Sequence, residues 1–290
     1  MLKFTLASRH MDEGTRERFF YEWSIIHVAL MLTTPTSMKL FKRYVQHFNI
    51  PDAASESLIY PLSSEGWESF AEHYVENYED VVSSVHLRDY VERMHPHKFG
   101  SHRFITSISN FDLIYQRKDF RSGGVKLIHF LKKAGGLTQA QFNSRLLGVR
   151  APRISQSVCE RGLARKYVVN SALDINPEIF KGTLFEYGST GLYAGIEELW
   201  LDGMEAFTRL CADRDSLKAF RATESGLIDA AGSISMVVVE RVVFDFVTPG
   251  EMSPPPSILN PNSLEAAIDR QGYRPWELPS PVTEKTLTKS

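Results

Sequence analysis

Two stretches of this 290-residue chain repeat one another at a fixed distance. Lys3, Thr15, Phe19, Leu40, Tyr44 and Val45 recur as Lys126, Thr138, Phe142, Leu163, Tyr167 and Val168, each pair 123 positions apart with no gap. Further along, Glu72 answers Glu198 and Phe111-Asp112 answers Phe244-Asp245, at offsets of 126 and 133. Such growth is expected where loops lengthen while the elements between them keep their length. A period this long is no solenoid repeat. It is two copies of one domain, residues 1–120 and 121–248, and the fold must be one that can be built twice.

Each copy reads in the same order. A strand (2–7, 125–131) leads through a Gly-containing turn to a threonine, Thr15 or Thr138, suited to cap a helix. The first helix carries Phe19, Trp23, Ile26, His27 and Leu30 at helical spacing; its counterpart carries Phe142, Leu146, Val149 and Arg150. A second strand follows around 43–48 and 166–171, then a third (69–75, 195–201), a second helix, and a last strand (104–111, 236–246) rich in β-branched and aromatic residues. That order is βαββαβ, the ferredoxin-like unit, whose sheet has helices on one face only. Two linked copies can bury the bare faces sheet to sheet, so the expected fold is α+β: two tandem ferredoxin-like domains forming an internal dimeric α+β barrel.

A formal charge of −2 advertises neither nucleic acid nor an anionic membrane as partner. The longest apolar stretch, 25–32, contains His27 and is far short of the ~20 residues of a membrane span. No signal-peptide pattern opens the chain, and Cys159 and Cys211 form no framework, which together suit a cytoplasmic protein. From Pro249 on, eight of the fourteen prolines accumulate, so 249–290 reads as an extended arm. A short helix over 263–270 and anchors Tyr273 and Trp276 would let the arm strap a partner subunit or a pocket. A monomer and a further homodimer through this arm are both open. No Walker loop, GxGxxG, GxSxG or HExxH occurs, Gly123-Gly124 reads as a turn, and His95-Pro96-His97 lacks a carboxylate cluster, so no metal is expected.

The run Phe19-Phe20-Tyr21-Glu22-Trp23-Ser24-Ile25-Ile26-His27, followed by Arg43-Tyr44-Val45-Gln46-His47 and Ala71-Glu72-His73-Tyr74, resembles the EthD family. The second copy is similar through Phe142, Tyr167-Val168-Val169-Asn170 and Gly195-Ile196-Glu197-Glu198-Leu199-Trp200. The resemblance implies a dimeric α+β barrel. It also implies a range of activities: cofactor-free decarboxylases, dehydratases and cyclases of polyketide metabolism, muconolactone-type isomerases, cofactor-free monooxygenases and some haem proteins. Fold does not choose among these.

Eight of nine histidines lie in the first copy, which is therefore the better candidate for acid–base chemistry. His27, on the apolar stripe of its helix, is the proposed acid/base, with Tyr44 and Glu72 as orienting partners. Phe19 and Trp23 are expected as pocket walls, and His47, His73 and Tyr167 as further substrate contacts. At an offset of 123, His27 becomes Arg150, which cannot act as a base. On an inward face Arg150 needs a carboxylate such as Glu197, Glu198 or Asp245, or else clamps a substrate anion in a second pocket. The leading expectation is a cofactor-independent lyase-type enzyme that dehydrates, decarboxylates or cyclises a hydrophobic aromatic or polyketide-like molecule. A cofactor-free monooxygenase and a non-catalytic metabolite-binding protein are the alternatives.

Overall fold

Alternation of β-branched and aromatic residues with polar ones builds four main strands in each half. In a computed structural model of the protein these are β1 (Leu2–Ser8), β2 (Arg43–Asn49), β3 (Ser69–Val75) and β4 (Ile105–Gln116) in the first half. The second half has β5 (Val125–Leu131), β6 (Lys166–Ala172), a two-residue β7 (Ser189–Thr190), β8 (Gly195–Leu201) and β9 (Ile234–Asp245). The structure describes residues 1–51, 53, 58–63, 66–95 and 99–247. The arm 249–290 with its Tyr273 and Trp276, and Pro96 and His97, lie outside the described residues.

Hydrogen bonding orders the strands β4-β1-β3-β2 in the first half and β9-β5-β8-β6 in the second, antiparallel throughout. The last strand of each half is 12 residues long and overhangs its own sheet. Residues 109–116 of β4 pair with β6, and residues 238–245 of β9 pair with β2. The two sheets therefore do not merely face one another. Their edges join, and an eight-stranded antiparallel barrel closes with few free edges left. The short β7 adds alongside β4 in parallel. At the joint between halves Gly124 has φ +81°, and a Cβ there would meet the Leu201 carbonyl, so the turn requires glycine.

Helices cover the outside of the barrel. In the first half, the stretch 16–32 consists of an α-segment Arg16–Tyr21, a π-segment Glu22–His27 and an α-segment Val28–Leu32. Thr15 caps it by accepting from the Arg18 amide at 3.2 Å. In the second half, Gln139–Arg145 is capped by Thr138 with a reciprocal Gln141 bond and continues into a π-segment Leu146–Arg150. Val149, expected on the buried stripe, is 59% exposed, because the wider π turn changes the phase at which side chains face the sheet. The expected second helix is two in each half: Tyr78–His86 and Arg88–Met94, then Met204–Ala212 and Arg214–Ala222.

Each half has its own apolar core between sheet and helices, and each core is completed by the other half. Tyr60 and Ala53, from the β2–β3 connection, pack in the second core, where the Ser235 hydroxyl donates to the Tyr60 carbonyl at 2.9 Å. Phe180, Phe185 and Tyr193, from the β6–β8 connection, pack in the first core, with Phe185 edge-on to Phe4 at 5.2 Å. This exchange decides what stands over each helix–sheet space.

Candidate active site

Three polar constellations matter, and strand alternation assigns them to different faces. The first is inside the barrel. Lys3 donates to Glu72 at 3.0 Å and to Glu198 at 2.6 Å; Lys126 donates to Glu198 at 2.8 Å and lies 2.8 Å from Glu240 and 2.6 Å from His47 Nε2. All are buried, and each lysine reaches across to the other half. Burial alone would lower the lysines, yet the carboxylates outweigh it and raise both ammoniums above their ordinary range. Burial would likewise raise Glu198, but Lys126 and Lys3 hold it well below the usual carboxylate range.

Glu72 thus faces the barrel interior and cannot orient His27, which lies beyond the other face of the sheet. His47 shares that interior, its Nδ1 donating to the Phe70 carbonyl at 2.9 Å, and it touches no helix-side pocket. Both assignments are corrected by strand phase, which a chain of consecutive buried residues in β2 and β3 does not reveal. The ligand atoms of His47, Glu72 and Glu198 lie within 4.8 Å of one another, a donor set that could hold a cation. Two lysine ammoniums already serve these groups, so the set fits an internal salt-bridge network better than a metal ion.

The second constellation fills the helix side of the second half. Arg150, wholly buried, makes a two-pronged contact with Glu197 at 2.9 and 3.0 Å. It also donates to the Phe220 carbonyl at 3.0 Å, the Thr223 hydroxyl at 2.8 Å and the Tyr60 hydroxyl at 3.1 Å. Tyr167 donates to Glu197 at 2.6 Å. Burial would raise Glu197, but Arg150 and the hydrogen bonds from His129 and Arg150 hold its carboxyl down at about 2. Every nitrogen of Arg150 is engaged, so it clamps no substrate anion, and Tyr167 has its hydroxyl spent on Glu197. Both are parts of a buried ion-pair plug rather than substrate contacts.

The third constellation is the equivalent space in the first half, and it is open. A pocket enclosing about 950 Å³, its mouth included, lies between β1–β3, the helix 16–32 and residues 99–104. Trp23, His27, Tyr44 and His73 line it together, with Tyr90, Phe99 and Phe104 as aromatic walls and Leu184 and Phe185 arriving from the second half. The difference from the plugged half is read position by position. At an offset of 126, Ala71 stands where the second half has Glu197, and at 123 His27 stands where it has Arg150. A methyl group replaces the carboxylate, and the space stays empty. Phe19 stands one layer back, stacked on Trp23 at 6.0 Å rather than lining the pocket.

The π-segment sets the helix-side geometry. Its wider turn frees two backbone carbonyls: Trp23 O accepts from Gln46 Nε2 at 3.0 Å, and Ser24 O accepts from Arg241 at 2.8 Å. His27 closes the segment, half-buried, its ring 5.2 Å from that of Phe99. His73 stacks flat on Tyr44, with centroids 4.6 Å apart and an angle of 10°. Its Nδ1 donates to the Phe4 carbonyl at 3.3 Å, and burial pushes the imidazole down to about 4, so it is neutral at pH 7. That tautomer leaves Nε2 as an acceptor. Tyr44 accepts from Gln46 at 2.9 Å, and burial raises its phenol. His102 and Ser101 stand at the same pocket, and neither was singled out from the sequence, where nothing distinguishes them from other loop residues.

The imidazoles of this pocket could ligate a haem iron, but among the described lining residues there is no lysine or arginine to meet the propionates, so the donor set does not fit a haem. The lining is mostly apolar and aromatic, with imidazoles, a phenol and serine hydroxyls as its polar groups. Among the described residues no helix is long and apolar enough to cross a membrane.

No family model and no curated protein matches the chain. Solved structures do. An anthrone oxidase-like protein superposes with a TM-score of 0.51 at 11% identity, covering 86% of this chain and 96% of its own. A candidate monooxygenase from Lactobacillus acidophilus NCFM gives 0.43 at 10% identity, covering 83% and 95%. A chlorite dismutase variant from Candidatus Nitrospira defluvii gives 0.45 at 10% identity, covering 94% and 95%. At these identities the likeness concerns the fold: the chain is an α+β protein built on an eight-stranded antiparallel barrel of the dimeric α+β barrel kind.

Proposed function

We propose that the protein is a cofactor-independent enzyme that moves a proton on a flat, hydrophobic aromatic or polyketide-like molecule held in the first-half pocket. We read its halves, 1–120 and 121–248, as tandem ferredoxin-like units of EthD type, of which the first carries the chemistry. The observation that supports this most is the asymmetry of the two helix–sheet spaces. One is plugged by Arg150 and Glu197, and the other keeps His27, His73 and Tyr44 around a cavity.

In this reading His27 takes a proton from an acidic carbon or hydroxyl, and Tyr44 donates to the oxygen that gains charge. His73, neutral, accepts a hydrogen bond from the substrate. In a dehydration His27 returns its proton to the departing hydroxyl, which leaves as water. Transfer of an electron from the same substrate anion to dioxygen is the second reading, suggested by the barrel shared with the anthrone oxidase-like protein.

Anthrone, with its acidic methylene between aromatic rings, is a suitable trial compound. In deuterated buffer the wild type is expected to exchange the methylene protons faster than buffer does, and His27→Ala to reduce that gain by about 100-fold or more. Equal exchange by a folded His27→Ala variant would refute the assignment. An oxygen electrode run alongside separates the readings: uptake marks oxygenation, and exchange without uptake marks proton transfer alone.

A further inference from the structure

Arg241 is the most anomalous charge among the described residues. It lies on β9 of the second half, directly opposite Gln46 of β2, and so under the first-half helix. It is 3% exposed. Among the described residues its one hydrogen bond is that to the Ser24 carbonyl; Nε and Nη1 have no partner, and it pairs with no carboxylate there. Every other fully buried cation described above is matched: Lys3 and Lys126 by glutamates, Arg150 by Glu197. An uncompensated buried charge is expensive to keep. A buried water shared with the unpartnered Gln46 Oε1 would satisfy hydrogen bonds but would supply no counter-charge.

The groups around Arg241 point to what balances it. Gln46 donates one N–H to Trp23 O and the other to the Tyr44 hydroxyl. With its oxygen accepting from Gln46, Tyr44 has its own hydrogen to give, and no acceptor for it is found among the described residues. Tyr44 lines the pocket. The other titratable groups there are His27, His73, Tyr90 and His102, and no carboxylate lines the pocket among the described residues. Among the described residues the site is thus a cavity without acids, fronted by an oriented phenol and backed by a guanidinium that lies 5.8 Å from the Phe48 ring and has no counter-ion.

We infer that Arg241 and Gln46 are positioning residues that turn Tyr44 into an oxyanion donor, so that the pocket takes its substrate as an aromatic oxyanion, a phenolate or enolate. The inference rests on the pocket reading above and names the charge state it selects. It also makes the site a product of both halves, since β9 brings the charge and β2 the amide.

Two measurements on the full chain test it, with 4-nitrophenol as probe because its phenolate is yellow. Bound to the wild type, the probe is expected to ionise roughly one pH unit or more below its value in water, and Arg241→Met to abolish that shift and bind the phenolate about tenfold more weakly. Arg241→Lys, which keeps the charge, should retain part of the shift. The thermal midpoint of Arg241→Met should rise, because an unpaired buried charge is replaced by an apolar side chain. A residue that merely ties down Ser24 would show the opposite: a lower midpoint and unchanged probe ionisation, and either result would overturn the assignment. A wild type that binds no probe refutes the pocket reading instead, and Arg241 is then judged on the midpoint alone, where a fall overturns it and a rise supports it.

Discussion

Position 150 carries an arginine where the first half carries His27, and position 197 a glutamate where it carries Ala71. Those two exchanges are enough to fill one helix–sheet space and leave the other open. The Glu197 carboxyl is held at about 2, well under its ordinary value of 4.5. A carboxyl depressed in the folded state contributes stability that is in place above the unfolded value and is lost as pH falls through the folded one. The wild type should therefore lose roughly 3 kcal/mol between about pH 4.5 and 2 on this account, given ~1.4 kcal/mol per unit. In urea titrations Glu197→Gln should reduce the acid slope by that amount, leaving the part that Glu198 and Glu240 contribute, while costing about 3–5 kcal/mol at pH 7, where Arg150 is left unpaired. An unchanged slope in Glu197→Gln would show that Glu197 is not the group responsible. His27, Trp23, Tyr44 and His73 stand at the pocket. The helix stripe marks Trp23 and His27, but nothing in the sequence separates Tyr44 and His73 from Glu72 and His47, because β2 and β3 are buried on both faces and a uniformly buried strand hides its phase.

At the scale of elements, the π-segment Glu22–His27 is the least expected feature and the one that gives the site its acceptors. Hydrophobic spacing located the helix but not its wider turn, since a stripe of apolar residues reads much the same through one extra residue. Deleting Ile25 should convert the segment to a plain α-helix. Trp23 O and Ser24 O would then gain partners within the helix, Gln46 and Arg241 would lose theirs, and His27 would rotate by about 100° around the helix. The expected outcome is a helical content unchanged by circular dichroism together with loss of 4-nitrophenol binding. Retained binding would mean that the π turn does not set the pocket. The strands, by contrast, are legible in number and order from their β-branched and aromatic content, but the overhang of β4 is not, since its residues 112–116 lie beyond the 104–111 that the sequence marks. Nor is β7, being two residues held only by its pairing to β4.

For the whole molecule, the recurring residues lead the sequence reading to expect a paired fold, and the structure shows a closed eight-stranded barrel. What the sequence does not reveal is how far the halves interpenetrate. Long last strands cross the seams, the β2–β3 and β6–β8 connections complete each other's cores, and Lys3 and Lys126 bridge the interior. These depend on contacts between residues roughly 50 to 200 positions apart, which no local pattern records. Such crossing also explains how a single chain can specialise one half: Tyr60 seals the second space against Arg150, while Leu184 and Phe185 roof the first without filling it. Calorimetric titration of the wild type and of Ala71→Leu with 2-naphthol tests this asymmetry most directly. One molecule bound per wild-type chain, with binding abolished when leucine fills the space beside His27, is the result predicted. Two molecules per chain, or full binding to a folded Ala71→Leu variant, would contradict it.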